Sequence, residues 1–280
     1  MSDSPSQFEK HITATNNDQL AVDLLAIETG LSKQKIKMVM QKGAVWLTRG
    51  KKTQRLRRAK KNLRSGETIH LYYDSHVLDK QPEEPQLIMD LGQYSVWNKP
   101  YGMLSQGSKW GDHCTITRWA EQHLKPQRSS FVVHRLDRAA NGLIIVAHEK
   151  RAAAALSELF QKRKIDKRYR IWVHGQFDEK ATTDNPTRIE SDIDGRHAVS
   201  YFTLVDYDEV YDRSLLDVSI ETGRKHQIRR HSAELDFPVV GDRLHGLEGD
   251  KDDLQLSAYY LAFECPFSHK KRQFNILPVT

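Results

Sequence analysis

Beyond residue 86 the chain reads as a succession of strands broken by a few helices, with no regular alternation between the two. Apolar or alternating runs predict strands at 88–97, 143–147, 168–174, 199–206, 215–221 and 255–263, whereas helical spacing recurs at 115–123, 149–162 and 224–235. A doubly wound parallel sheet needs strand and helix to follow one another in turn, so this order predicts an α+β domain. It leaves the first part of the chain to form something smaller.

That first part has its own punctuation. Residues 1–17 are polar and are expected to form a flexible tail, ending in Asn16-Asn17-Asp18 as a helix cap before Leu20, Leu24, Leu25 and Ile27. Gly30 closes this helix, Ser32 caps a second one carrying Ile36, Val39 and Met40, and strands follow, the clearest being Thr68-Ile-His-Leu-Tyr-Tyr73. Residues 18–75 thus predict a small α/β domain. The Pro-rich, charged stretch Lys80-Gln-Pro-Glu-Glu-Pro85 marks residues 76–86 as a linker and 87–280 as the larger domain.

Charge is distributed unevenly. The net charge is +6, but Lys33 to Arg64 holds thirteen Lys or Arg and no Asp or Glu, so the rest of the chain carries 6 − 13 = −7. A basic patch on an otherwise acidic chain is the footprint of a phosphate contact through counterion release, with Lys33, Lys37, Arg57 and Arg58 as its candidate residues. The start Met1-Ser-Asp-Ser-Pro-Ser-Gln lacks the pattern of a secretory signal, and no apolar run approaches the roughly 20 residues of a membrane span. The expectation is a cytoplasmic monomer without a membrane partner. Cys114 and Cys265 stand far apart without CxxC spacing, and neither His226 with His231 nor His113 with Cys114 gains further ligands, so no metal is expected.

The segment Phe131-Val-Val-His-Arg-Leu-Asp-Arg-Ala-Ala140 leads through Asn141-Gly142 into the apolar run Leu143 to Ala147. Asp137, between Arg135 and Arg138, can be held ionised beside a buried strand because neighbouring positive charge favours the carboxylate. Three further segments carry comparable signals: Trp97-Asn-Lys-Pro-Tyr-Gly102, Lys167-Arg-Tyr-Arg-Ile-Trp-Val-His-Gly175 and Thr222-Gly-Arg-Lys-His-Gln-Ile-Arg-Arg-His231. Together, in this order and with thirty-two residues from Asp137 to Tyr169, they resemble the RluA-type family of RNA pseudouridine synthases over about two-thirds of the chain. Residues 18–75 are similar to the alpha-L RNA-binding domain shared with a small-subunit ribosomal protein.

The resemblance implies a mixed, largely antiparallel sheet with a central cleft, and isomerisation of uridine to pseudouridine in structured RNA without a cofactor. It implies Asp137 as the catalytic carboxylate, Arg229 as its ion-pair partner and Tyr169 as the residue against the target base, its phenol also open to a proton-transfer role at the ribose or at carbon 5. Arg135 would brace the gap left by the flipped uridine. His134, Arg138, Lys99, Arg224 and Gln227 join the RNA-binding candidates, with Lys99 shaping the cleft rim and His134 also readable as a structural imidazole. The accessory domain favours ribosomal over transfer RNA. Ala140-Asn141-Gly142 departs from the family's Thr-Ser-Gly, and Ser257 stands where a histidine is common. Two other readings are weighed from the sequence: a noncatalytic RNA-binding or ribosome-assembly factor, and a glycosidase or nucleoside hydrolase, which would need a second acid and a positioned water where the sequence offers no matched pair of carboxylates.

Overall fold

Gly30 and Ser32 divide the first helical stretch. Gly30 takes φ 70° and donates its N–H to Ala26, ending helix α1 (Ala21–Thr29), and Ser32 Oγ accepts from Lys35 N at 3.2 Å, opening helix α2 (Lys33–Gln41). Leu24, Leu25, Ile36, Val39 and Met40 from these helices share one core with Val45, Leu47, Ile69 and Leu71. The latter four lie on two strands of an antiparallel sheet ordered β1-β6-β3-β4, formed by β1 (Gln7–Thr13), β3 (Val45–Arg49), β4 (Lys52–Arg55) and β6 (Thr68–Asp74), while β2 (Gln19–Leu20) pairs with β5 (Asn62–Leu63).

This computed structural model describes residues 6–276, in which contacts divide the chain into two units. One runs up to Glu83 and also includes Gln106–Gln127; the other comprises Glu84–Ser105 and the chain from Arg128 onward. Three expectations about the smaller unit change. Among the described residues of the supposed tail, Gln7–Thr13 pairs over its full length with Asp74–Thr68, an assignment that two inward apolar residues, Phe8 and Ile12, signal only faintly. The Asn16-Asn17-Asp18 group does not cap α1, whose N-cap is Leu20 without a side-chain bond; Asn17 Oδ1 instead accepts from Ser65 N at 3.0 Å. The linker begins with a helical turn, α3 (Ser75–Leu78), in which Asp74 Oδ1 accepts from Val77 N at 3.2 Å.

Residues 106–127, assigned by chain order to the larger domain, pack with the smaller unit because of what they touch. Trp46 Nε1 donates to Lys109 O at 3.1 Å, and Asp112 accepts from Arg57 and lies 3.2 Å from Arg55 Nε. Helix α4 (Ile116–His123) in this segment begins at Thr115, whose Oγ1 accepts from Arg118 N.

In the larger unit a ten-stranded sheet runs β12-β13-β14-β11-β15-β10-β8-β7, built from β7 (Gln86–Asp90), β8 (Tyr94–Lys99), β10 (Asn141–Ala147), β11 (Asp166–His174), β12 (Thr187–Asp192), β13 (His197–Asp208), β14 (Arg213–Ile220) and β15 (Leu256–Glu264). The short β9 (Phe131–Val132) and β16 (Lys271–Asn275) pair with β10 and β15. Every pairing is antiparallel except Asn141–Gly142 beside Ser257–Ala258, so the sheet is mixed and largely antiparallel, as expected. Gly142 is required there: it takes φ 114°, and a Cβ would stand 2.4 Å from the Ala258 carbonyl oxygen.

Leu143, Ile145 and Ala147 share a core with Ala152 and Leu156 of α5 (Lys150–Gln161). Ile171, Val173, Phe202, Leu216 and Val218 form another, closed by Ile228 of α6 (Gln227–Glu234). No helix among the described residues is long and apolar enough to cross a membrane.

Candidate active site

Asp137 lies in the turn that feeds β10, and that turn is tied down on several sides. Ser105 Oγ donates to Leu136 O at 2.8 Å and accepts from Leu136 N at 3.0 Å, Gly102 N donates to Arg138 O, and Ala140 N donates to Asp137 O. Beneath it Lys99 is fully buried, its Nζ donating to Ala140 O at 2.6 Å, Met103 O at 2.9 Å and Pro100 O at 3.0 Å. Burial draws the Lys99 ammonium down to about 7 even with Asp137 nearby. Its N–H bonds, however, are directed at main-chain carbonyls, so Lys99 cannot meet RNA and acts as a clamp between the 100–103 loop and the Asp137 turn. Lys99→Met would leave those carbonyls without a donor, at roughly 1–3 kcal/mol for each unsatisfied group. The expected result is a clear fall in the thermal midpoint, and an unchanged midpoint would refute the clamp.

Arg229, in the first turn of α6, stands between two carboxylates. Its Nε donates to Asp242 Oδ2 at 2.7 Å and its Nη2 to Asp242 Oδ1, while Nη1 donates to Asp137 Oδ2 at 3.3 Å. The three side chains differ in exposure: Asp242 0%, Arg229 6% and Asp137 31%. Asp242 is therefore the internal anchor, and Asp137 is the carboxylate left open. Burial opposes charge on Arg229 and Asp242 alike. Their bidentate bond, with Leu244 N and His245 N donating to Asp242, outweighs burial and keeps the arginine above and the acid below its ordinary range.

Tyr169 projects from β11, paired with Val218 on one side and Ala258 on the other. Burial first, then the negative charge of Asp137, pushes its phenol well above the usual tyrosine range, so it stays protonated. His226 completes the surroundings, with Nε2 3.9 Å from Asp137 Oδ2 and Nδ1 3.1 Å from His245 Nε2.

Asp137, Tyr169, Arg229 and the flanking Arg135 and Arg138, both exposed, thus belong to one neighbourhood. Arg224 is partly exposed and donates to His197 O at 3.0 Å. Two other candidates are bonded inward. Gln227 is 3% exposed, accepts from Thr222 Oγ1 at 2.7 Å and donates to Val199 O, so it fixes the start of α6. His134 accepts from Ile145 N at 3.0 Å and stacks on Phe160; burial lowers it to about 3, which makes it a neutral structural imidazole. In the smaller unit Lys37 and Arg58 are exposed, Lys33 is exposed but paired with Asp23 at 2.9 Å, and Arg57 is drawn inward to Asp112 and Gln41 O. Asn98, Asn141 and Ser257 line a cavity of about 270 Å³ that does not include Asp137, Tyr169 or Arg229.

Asp242 and His245 were not among the residues singled out from the sequence. The signal present was Val239-Val240-Gly241-Asp242, an apolar run ending in a glycine and an acid, as an arginine bound for the interior requires a buried counter-charge.

The model of the RNA pseudouridylate synthase family matches residues 93–234, a span that contains Asp137, Tyr169, His226 and Arg229. The chain belongs to that family. The synthase is an isomerase acting on RNA. It is 30% identical to tRNA pseudouridine synthase C of Vibrio parahaemolyticus, over 68% of this chain and 89% of that one. It is 34% identical to the dual-specificity RNA pseudouridine synthase RluA of the same organism, over 64% and 77%. Its fold matches human RNA pseudouridylate synthase domain containing 1 with a TM-score of 0.57 and 19% identity, covering 71% of this chain and 86% of that one.

Proposed function

We propose that the synthase isomerises uridine in structured ribosomal RNA, with Asp137 as the catalytic carboxylate, Arg229 as its ion-pair partner and Tyr169 packed against the target base. The arrangement of Arg229 carries this reading: a buried acid fixes the guanidinium, and its remaining N–H group presents the one carboxylate of the pair that is open to a ligand. Detaching uracil from ribose is akin to glycoside chemistry, in which a carboxylate attacks the sugar carbon or supports its positive charge. Because the detached uracil is itself the acceptor, a second carboxylate to activate water is not required. The protonated Tyr169 serves as an apolar wall with a donor at its tip. Uridine must leave its stack at a cost of roughly a few kcal/mol; the exposure of Arg135 supports its bracing the gap, with Arg138 and Arg224 for phosphates.

Ribosomal RNA is favoured by the smaller unit, read as an alpha-L type domain over 18–75 whose exposed Lys37, Lys51, Lys52, Arg58, Lys60 and Arg64 meet the backbone. The similarity to a transfer-RNA enzyme supports the other substrate class. Tritium release from carbon-5-labelled uridine in separate ribosomal and transfer RNA pools decides between them; release from transfer RNA alone would overturn the ribosomal assignment. Lys37→Glu together with Arg58→Glu is expected to weaken RNA binding and flatten the slope of log affinity against log salt by about 1–2. An unaltered slope would remove this face from the RNA contact.

A further inference from the structure

The reaction needs a proton acceptor at carbon 5, for which the assignments above offer only the Asp137 carboxylate as it is released from C1′. When uracil rejoins the ribose through carbon 5, that carbon carries both its original hydrogen and the new bond to C1′, and the hydrogen must leave as a proton. Tyr169 is held protonated by burial and by Asp137, and Arg229 has no lone pair to offer. Lys99 and His134 are committed to the main chain.

We propose that His226 is a further catalytic residue, the base that takes the carbon-5 proton, and that His245 orients it. This rests on the Asp137-centred reading of the site. Three observations support it. His226 Nε2 is 3.9 Å from Asp137 Oδ2, the oxygen that also faces Arg229, so an atom bonded to C1′ beside Asp137 lies within reach of that nitrogen. His226 Nδ1 is 3.1 Å from His245 Nε2; with the proton on Nδ1 donated to His245, Nε2 keeps its lone pair for the substrate. His226 also occupies the left-handed region, φ 55° and ψ 27°, at the N-cap of α6 without making a capping bond. A side chain held there costs backbone energy that capping does not repay, as is common where geometry serves a reaction.

In the step itself the proton passes from carbon 5 to Nε2, and its bonding pair restores the C5–C6 double bond. N1, left with the electron pair of the broken glycosidic bond, takes up one proton, so no net proton is consumed. Burial keeps the imidazole below its ordinary range and hence unprotonated, against the pull of Asp137 and with Arg229, His245 and Lys225 as the other charged or titratable neighbours.

The test is His226→Asn, since asparagine tolerates the left-handed backbone but offers no base. Turnover on RNA carrying carbon-5-deuterated uridine is compared with turnover on protium RNA. The variant is expected to lose about 10²–10⁴-fold in kcat with KM little changed, to show a primary isotope effect absent from the wild type, and to recover with added imidazole. A variant near the wild-type rate, or one that is slow with no isotope effect and no imidazole rescue, overturns the proposal. If the variant does not fold, the wild type is assayed at falling pH: protonating His226 should bring out the same isotope effect, and its absence is equally decisive. Full activity in Asp137→Asn would instead refute the site reading on which the proposal stands.

Discussion

Asp137→Asn is expected to lower pseudouridine formation by about 10⁴-fold or more, the scale on which removal of a central reacting group acts. Asparagine preserves the shape and can still accept from Arg229, but it neither attacks the ribose carbon nor balances a positive charge there. Because the Asp137 side chain is 31% exposed and contributes one 3.3 Å contact to an arginine already held by Asp242, stability should change little. RNA affinity should also survive, since the proposed phosphate contacts lie elsewhere. Activity within tenfold of the wild type would remove Asp137 from the chemistry and leave the family fold serving as an RNA clamp.

Arg229→Met should fail differently. It leaves Asp242 fully buried without its cation, and uncompensated buried charges of this kind cost about 3–5 kcal/mol. The carboxylate that the arginine holds below its ordinary range would be driven towards protonation. In the wild type the contribution of Asp242 is present above the carboxylate range and disappears as pH falls through its depressed value, so the variant should show a smaller acid-dependent loss of stability. Adding Asp242→Leu should recover much of the lost stability, because an apolar pair can replace a buried ion pair, without recovering turnover. A double variant as active as wild type would show that orientation of Asp137 by Arg229 is unimportant; a stable single variant would show that Asp242 is solvated.

The contrast between these two residues explains what was legible in advance. Asp137, Tyr169 and Arg229 stand in local segments of unusual charge, so a reader of the chain can find them, and the spacing of strand signals gave the α+β class. His134, Lys99 and Gln227 carry equally suggestive local signals, yet Lys99 and Gln227 are buried, His134 is half-buried and all three are bonded inward, because burial depends on neighbours remote in sequence. Strand β1 and the 106–127 segment illustrate the same limit: seven weakly patterned residues become a strand once β6 is beside them, and the residues that follow the Trp97-to-Gly102 segment belong to whichever core they pack against.

The sequence by itself determined the fold class and the family and singled out Asp137, because periodicity, composition and short motifs are properties of neighbouring residues. Only the tertiary structure decided that Asp242 anchors Arg229, that His245 stands behind His226, and that Lys99 clamps a turn. Each of these depends on groups brought together across intervening strands, where desolvation makes a partner obligatory but leaves its position in the chain unspecified.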